Sequence, residues 1–144
     1  CINNEKLLID AARGATQKSY SPYPNYKVGA AVLLETGEII EGSNQENACY
    51  PAGICAERTA LFYTNSEYGG RSIVAIAIAA HTCGDFTVDV CSPCGICRQA
   101  LLEVEDRQGK PIKVLMTGKD LVYEAASVKD LLPLSFGKDS LSEK

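Results

Sequence analysis

Apolar positions recur along the chain with two different periods, and the alternation between them lays out the elements. Behind Asn3 and Asn4, either able to cap a helix, Leu7, Leu8, Ala11 and Ala12 share one helical face that fades near Ser19. Ser21-Pro22-Tyr23-Pro24-Asn25 then reads as a turn-rich loop. Tyr26 to Leu34 is apolar and rich in β-formers, Thr36-Gly37 marks a turn, and Glu38 to Ser43 returns, which predicts a β-hairpin. Asn44 to Gly53 is polar and without period, and Ile54 to Thr64 predicts a helix. The unbroken apolar run Ile73 to Ala80 predicts a buried strand, with a loop over Thr82 to Val90. A further helix opens at Pro93 and runs through Leu101, Leu102 and Val104. Short strands at Ile112 to Met116 and Leu121 to Ala125 follow, then a short helix at Val128 to Leu132, Pro133 and a polar tail. With no repeat or linker, residues 1–144 read as one domain. The alternation of strands and helices predicts an α/β fold, a three-layer α/β/α sandwich around a mixed, mostly five-stranded sheet. Its hairpin is antiparallel, and later strands can join in parallel through helices.

Composition narrows the function classes. Apolar residues make up 46% of the 144, enough for a packed core, and the formal net charge is −4. Lys and Arg are scattered, without the basic face of a polynucleotide binder, so a small substrate is expected rather than nucleic acid. No apolar segment is long enough to span a bilayer, and no signal-peptide pattern opens the chain, so no membrane partner and a cytoplasmic location are expected. The seven cysteines are odd in number and clustered, which favours metal or redox work over a disulfide framework.

Two clusters carry the chemistry. Cys55-Ala56-Glu57 opens one predicted helix, and Pro93-Cys94-Gly95-Ile96-Cys97 opens another. Cys94 and Cys97 are three apart and share a helix face. Thiolates at helix N-termini are favoured by the macrodipole, and Pro93 suits a first turn, where its missing N–H loses nothing. Two such helix ends meeting would gather three thiolates, a soft donor set for tetrahedral zinc with its fourth position open, as in catalytic sites. Cys-x-x-Cys alone fits a redox pair equally well, and Cys91 as a fourth ligand would instead make a closed structural module. Glu57, in a first turn beside the metal, can move protons; by itself it is also an ordinary complement to the helix dipole. Three thiolates leave a bound zinc formally at −1, so a guanidinium on the sulfurs, from Arg58, would restore its Lewis acidity. Arg98 or Gln99 is placed to help hold that guanidinium or the thiolates.

With Cys55-Ala56-Glu57-Arg58 and Pro93-Cys94-Gly95-Ile96-Cys97-Arg98-Gln99 together, the chain closely resembles the small homotetrameric zinc-dependent cytidine deaminases. Three further segments extend the resemblance over nearly the whole chain. Ser21-Pro22-Tyr23 with Val28-Gly29-Ala30-Ala31 looks like the first strand, Asn44-Gln45-Glu46-Asn47-Ala48 like the ribose loop, and Leu131 to Gly137 like the C-terminal signature. The resemblance implies hydrolytic deamination of free cytidine and 2′-deoxycytidine in pyrimidine salvage. It also implies one zinc per chain on Cys55, Cys94 and Cys97, with Glu57 as the proton-carrying residue that is not a ligand. By the same resemblance Asn44 and Glu46 bind the ribose 3′-hydroxyl, and backbone groups of Ala56 and Ser92 meet the pyrimidine edge. Tyr26 stands where the family commonly has a base-contacting Phe. Phe136 resembles the aromatic that packs on the base, and Tyr50 one supplied across a subunit interface, so the tetramer would share its sites. His81, the only histidine, is expected at a strand end with no catalytic part. Two other classes stay open on the residues: a non-catalytic zinc-binding module, and a deaminase of a modified cytosine nucleoside. A redox protein is a third.

Overall fold

The computed structural model describes residues 2–141. In chain order the elements are α1 (Ile2–Ala15), β1 (Lys27–Leu34), β2 (Ile39–Ser43), α2 (Ala56–Glu67), β3 (Ile73–Thr82), β4 (Asp85–Phe86), α3 (Gly95–Gln108), β5 (Lys113–Thr117) and β6 (Val122–Ala125). The sheet runs β2-β1-β3-β5-β6, and the two-residue β4 pairs with β3 off that path. The sandwich expected from the sequence is therefore present, with one small strand more than the five. Among the described strands only β3 and β5 pair in parallel, because α3 carries the chain back across the sheet between them; the other strand pairings are antiparallel.

Side-chain size along the central strand decides where the helices lie. In β3, Ile76 and Ile78 face the layer of α2 and α3, packing with Leu61, Leu101 and Leu102. The alternate residues Ala75, Ala77 and Ala79 face α1, which lays Leu8 and Ala12 on them. Alanines on that face let α1 approach closely. Leu8 is fully buried, worth roughly 1.5–3 kcal/mol. Two strand glycines serve the same end. A Cβ on Gly29 would collide with the carbonyl of Ala12, and one on Gly42 would lie 2.5 Å from the Ala60 nitrogen. Gly42 thus sets how near α2, the helix that begins at Cys55, sits to the sheet.

Several local expectations change. Helix α1 already includes Ile2, so it runs through Asn3 and Asn4 and neither caps it. Leu7 is 57% exposed: it lies a helical step of about 100° from Leu8 and off the buried stripe. Strand β3 extends to Thr82, and the loop expected over Thr82 to Val90 instead begins as a tight hairpin. Cys83 (φ 52°) and Gly84 (φ 85°) both take left-handed conformations there, the requirement of a two-residue turn that Cys-Gly only half signals. Pro93 lies before the cap of α3 and not in its first turn, since Cys94 itself is the extended N-cap residue. The short C-terminal helix is a 3-10 turn over Val128–Leu131, and the tail holds another over Lys138–Leu141.

A buried carboxyl with no warning in the sequence secures that C-terminal segment. Glu105 of α3, 4% exposed, accepts hydrogen bonds from the backbone N–H groups of Ile112 (2.8 Å) and Val128 (2.9 Å) and from the Ser127 hydroxyl. It ties α3, the start of β5 and the final turn to one point.

Candidate active site

Helices α2 and α3 pack on the same face of the sheet, and their N-termini meet. Cys55 caps α2 (φ −72°, ψ 153°) and Cys94 caps α3 (φ −69°, ψ 170°), both in extended backbone, with Cys97 buried in the first turn of α3. The sulfurs of Cys55 and Cys94 are 3.9 Å apart and those of Cys94 and Cys97 3.4 Å, and all three lie within 4.8 Å of one another. Two sulfurs on one tetrahedral zinc stand about 3.8 Å apart, so the donor set fits that ion in spacing as in softness. Cys91 is not part of the group. Burial, with the neighbouring Glu57, pushes its thiol up to about 11, which keeps its proton on at neutral pH. Of the other cysteines, Cys49 and Cys83 are exposed free thiols, and Cys1 lies outside the described residues.

Electrostatics single out one sulfur and one carboxyl. A hydrogen bond from Cys97, followed by those from Arg58 and Cys94, holds the Cys55 thiol down at about 5 against the opposing effect of burial. The Arg58 Nη2 lies 3.6 Å from the Cys55 sulfur, placing the guanidinium on the thiolates. Cys97 moves the other way, pushed up by its hydrogen bond to Cys55 and by burial. Glu57, 5% exposed, has its carboxyl raised above the ordinary range by burial and by the Cys55 charge, although contacts with Cys97 and Arg58 act in the opposite sense. A carboxyl raised in this way is suited to exchanging protons with a ligand in the site.

All of these residues but the buried Cys97 line a cleft of about 1030 Å³, at the top of the range for small-molecule sites. Cys55, Ala56, Glu57, Arg58 and Cys94 come from the helix starts; Tyr26 and Val28 from the hairpin; Asn44, Glu46 and Tyr50 from the loop after β2; Cys91 and Ser92 from the segment before α3. The Tyr26 hydroxyl donates to the Cys91 sulfur at 3.9 Å, and burial, then Cys91, push it up to about 12. Glu46 accepts from the Tyr23 N–H at 3.0 Å. Tyr50, 75% exposed, lines the cleft of its own chain and meets Tyr23 edge-on with ring centres 6.1 Å apart. Tyr23 was not singled out by the sequence, although the Ser-Pro-Tyr segment held the clue.

Three residues fall elsewhere than the sequence suggested. Phe136 is 60% exposed and does not line this cleft. Gln99 donates to the Phe136 carbonyl at 2.7 Å, so it braces the C-terminal segment and not the thiolates or the Arg58 guanidinium. Arg98 acts likewise, joining the carbonyls of Pro93 (2.8 Å) and Leu131 (3.0 Å). Both side chains leave α3 on the flank where the final segment crosses it, a packing relation that spacing alone does not disclose. His81 sits at the end of β3 with its ring edge-on to Phe86.

Residues 2–109 match the family model of the cytidine and deoxycytidylate deaminase zinc-binding region. The chain belongs to this deaminase family. It is 37% identical over 140 residues to a cytidine deaminase of Halalkalibacterium halodurans, covering 97% of this chain and 99% of that one. With a cytidine deaminase of Sporosarcina psychrophila the identity is 40% over 138 residues, covering 96% and 94%. Among solved structures, a cytidine deaminase from Burkholderia pseudomallei superposes with a TM-score of 0.77 at 41% identity, covering 91% of this chain and 98% of that one. Family membership accounts for the Cys55, Cys94 and Cys97 group as a zinc site and weighs against a redox pair.

Proposed function

We propose that this chain hydrolyses the 4-amino group of free cytidine and 2′-deoxycytidine, giving uridine or 2′-deoxyuridine and ammonia. The observation that carries the reading is the three-sulfur group with a buried, raised carboxyl beside it in one nucleoside-sized cleft. Cys55, Cys94 and Cys97 would hold zinc, which when bound supplies Lewis acidity that makes water nucleophilic at neutral pH. Glu57 takes a proton from the attacking water and places it on N3 of the base. The water oxygen adds at C4, and Glu57 then takes the proton left on that oxygen and passes it to the departing amine, so that the C4 carbonyl forms as the C4–N bond breaks. Arg58 draws charge from the sulfurs. Ala56 and Ser92 offer backbone groups to the pyrimidine edge, and Tyr26 offers its ring. Asn44 donates to the ribose 3′-hydroxyl and Glu46 accepts from it. The carboxylate of Glu46 also disfavours a 5′-phosphate, so nucleosides are preferred over nucleotides.

Exposed Phe136 supports a homotetramer with shared sites, in which that ring completes the cleft of a neighbouring chain. The net charge of −4 and the scattered basic residues support a small substrate and no nucleic-acid strand. No helix among the described residues is long and apolar enough to cross a membrane. A site made of three reduced thiols suits the reducing cytoplasm, where the reaction would serve pyrimidine salvage. The test is the ultraviolet change on cytidine deamination by purified protein, with and without a chelator. Chelator-sensitive turnover with ammonia release is expected. A zinc-loaded protein that releases no ammonia would leave the binding-module reading, and turnover only of modified cytosine nucleosides would move the substrate class.

A further inference from the structure

Asn44 has its polar atoms almost fully engaged by the protein. Its N–H donates to the Val28 carbonyl (3.2 Å) and its own carbonyl accepts from the Tyr20 N–H (3.1 Å). Its side-chain oxygen accepts from the Val28 N–H (2.8 Å) and from the Ser19 hydroxyl (2.5 Å), and its side-chain nitrogen donates to the Tyr26 carbonyl (3.0 Å). The Ser19 oxygen is also 3.2 Å from the Asn44 backbone carbonyl, but one proton cannot serve both, and the shorter contact takes it. An amide has two lone pairs and two N–H bonds. Both lone pairs and one N–H are therefore used, and a single N–H remains for a ligand. Val28 N–H can only donate, so the amide cannot turn over without setting donor against donor.

We propose that Ser19 is a positioning residue for the 3′-hydroxyl subsite: it fixes the plane of the Asn44 amide and aims the last N–H at the ribose. Ser19 is half-buried and does not itself line the cleft, so it acts on substrate only through Asn44. It comes from the extended segment after the 3-10 turn at Thr16–Lys18, outside every motif that identifies the family here. Without its hydroxyl, the side-chain oxygen of Asn44 keeps one donor of two, and the amide gains freedom to rotate about its last torsion. The proposal rests on the reading that Asn44 and Glu46 hold the 3′-hydroxyl.

The experiment compares kcat/KM for 2′-deoxycytidine and 2′,3′-dideoxycytidine, which lacks the group in question, in the zinc-loaded full chain and in Ser19→Ala. The unaltered protein should favour deoxycytidine strongly. In Ser19→Ala that preference should shrink roughly three- to tenfold, the worth of one neutral hydrogen bond. The loss should fall on KM for deoxycytidine, with dideoxycytidine, kcat and zinc content unchanged, and Ser19→Thr should restore the preference. If the alanine variant does not fold, Ser19→Cys, similar in shape and a far weaker donor, serves in the same comparison. Equal losses on both substrates would make Ser19 merely structural and overturn the proposal, as would an unchanged preference. An unaltered protein that does not discriminate between the two substrates would instead defeat the ribose-loop reading beneath it.

Discussion

Gly42→Ala is the perturbation that most directly connects a backbone contact to the chemistry. Gly42 lies opposite Ala30 in the β1–β2 ladder, buried beneath α2. A methyl group there would stand 2.5 Å from the Ala60 nitrogen, 2.8 Å from the Ala56 carbonyl and 2.9 Å from the Ala60 Cβ. Carbon contacts relax at about 3.5 Å, so α2 must retreat by about 1 Å. The obstacles are backbone atoms and a Cβ, and no flexible side chain can give way. Overpacking of this kind costs about 1–3 kcal/mol, a fall in Tm of roughly 3–10 °C. Because α2 begins at the Cys55 cap and carries Glu57 and Arg58, the same displacement pulls one sulfur and the carboxyl away from Cys94 and Cys97. A misplacement of about 1 Å can lower turnover on the order of 10²-fold. Differential scanning calorimetry, zinc per chain and kcat on cytidine measure the three effects on one preparation. Gly14→Ala is the control: this α1 glycine has no atom within 4 Å of a built Cβ. In the last turn of α1, on backbone that an alanine can adopt, it should gain roughly 0.4–1 kcal/mol and leave kcat unchanged. A Gly42→Ala protein with the original Tm, zinc content and kcat would refute the argument that this glycine sets the seat of α2.

Glu57→Gln should keep zinc and fold while losing roughly 10²–10⁴-fold in kcat, since the amide cannot carry protons; near-normal turnover would remove Glu57 from the mechanism. Cys94→Ala should lose metal and activity together, read by metal analysis beside the cytidine assay, and full zinc retention would take Cys94 out of the site. Glu105→Ala strands the buried N–H groups of Ile112 and Val128 and should cost on the order of 3 kcal/mol by chemical denaturation; a change under about 0.5 kcal/mol would show the carboxyl to be dispensable. Mixing inactive Glu57→Gln chains with Phe136→Ala chains should recover activity above the sum of the separate proteins if Phe136 completes a neighbour's cleft, and no recovery in verified mixed tetramers would refute site sharing.

The sequence by itself determined where the proposed chemistry could lie. Cys55, Glu57, Arg58, Cys94 and Cys97 were legible as candidates because the two clusters open predicted helices and Cys94 and Cys97 lie within one turn, and the family resemblance chose zinc among the readings they leave open. It also determined the layered class, through the alternation of strand and helix patterns, whereas the face that each residue of β3 meets came only from the packing. What depended on chain segments far apart was decided only by the tertiary structure. The N–H and lone pairs of Asn44 are taken by Ser19, Tyr20, Tyr26 and Val28, none of them near it in sequence. Glu105 is buried because β5 and the final turn close over it, a contact between segments that no local pattern marks. Gln99, two residues after a ligand in sequence, went to Phe136 because α3 turns successive side chains about 100° apart. Local periodicity records backbone conformation and burial, but hydrogen-bond partners across the fold are set by packing geometry, which a linear pattern does not encode.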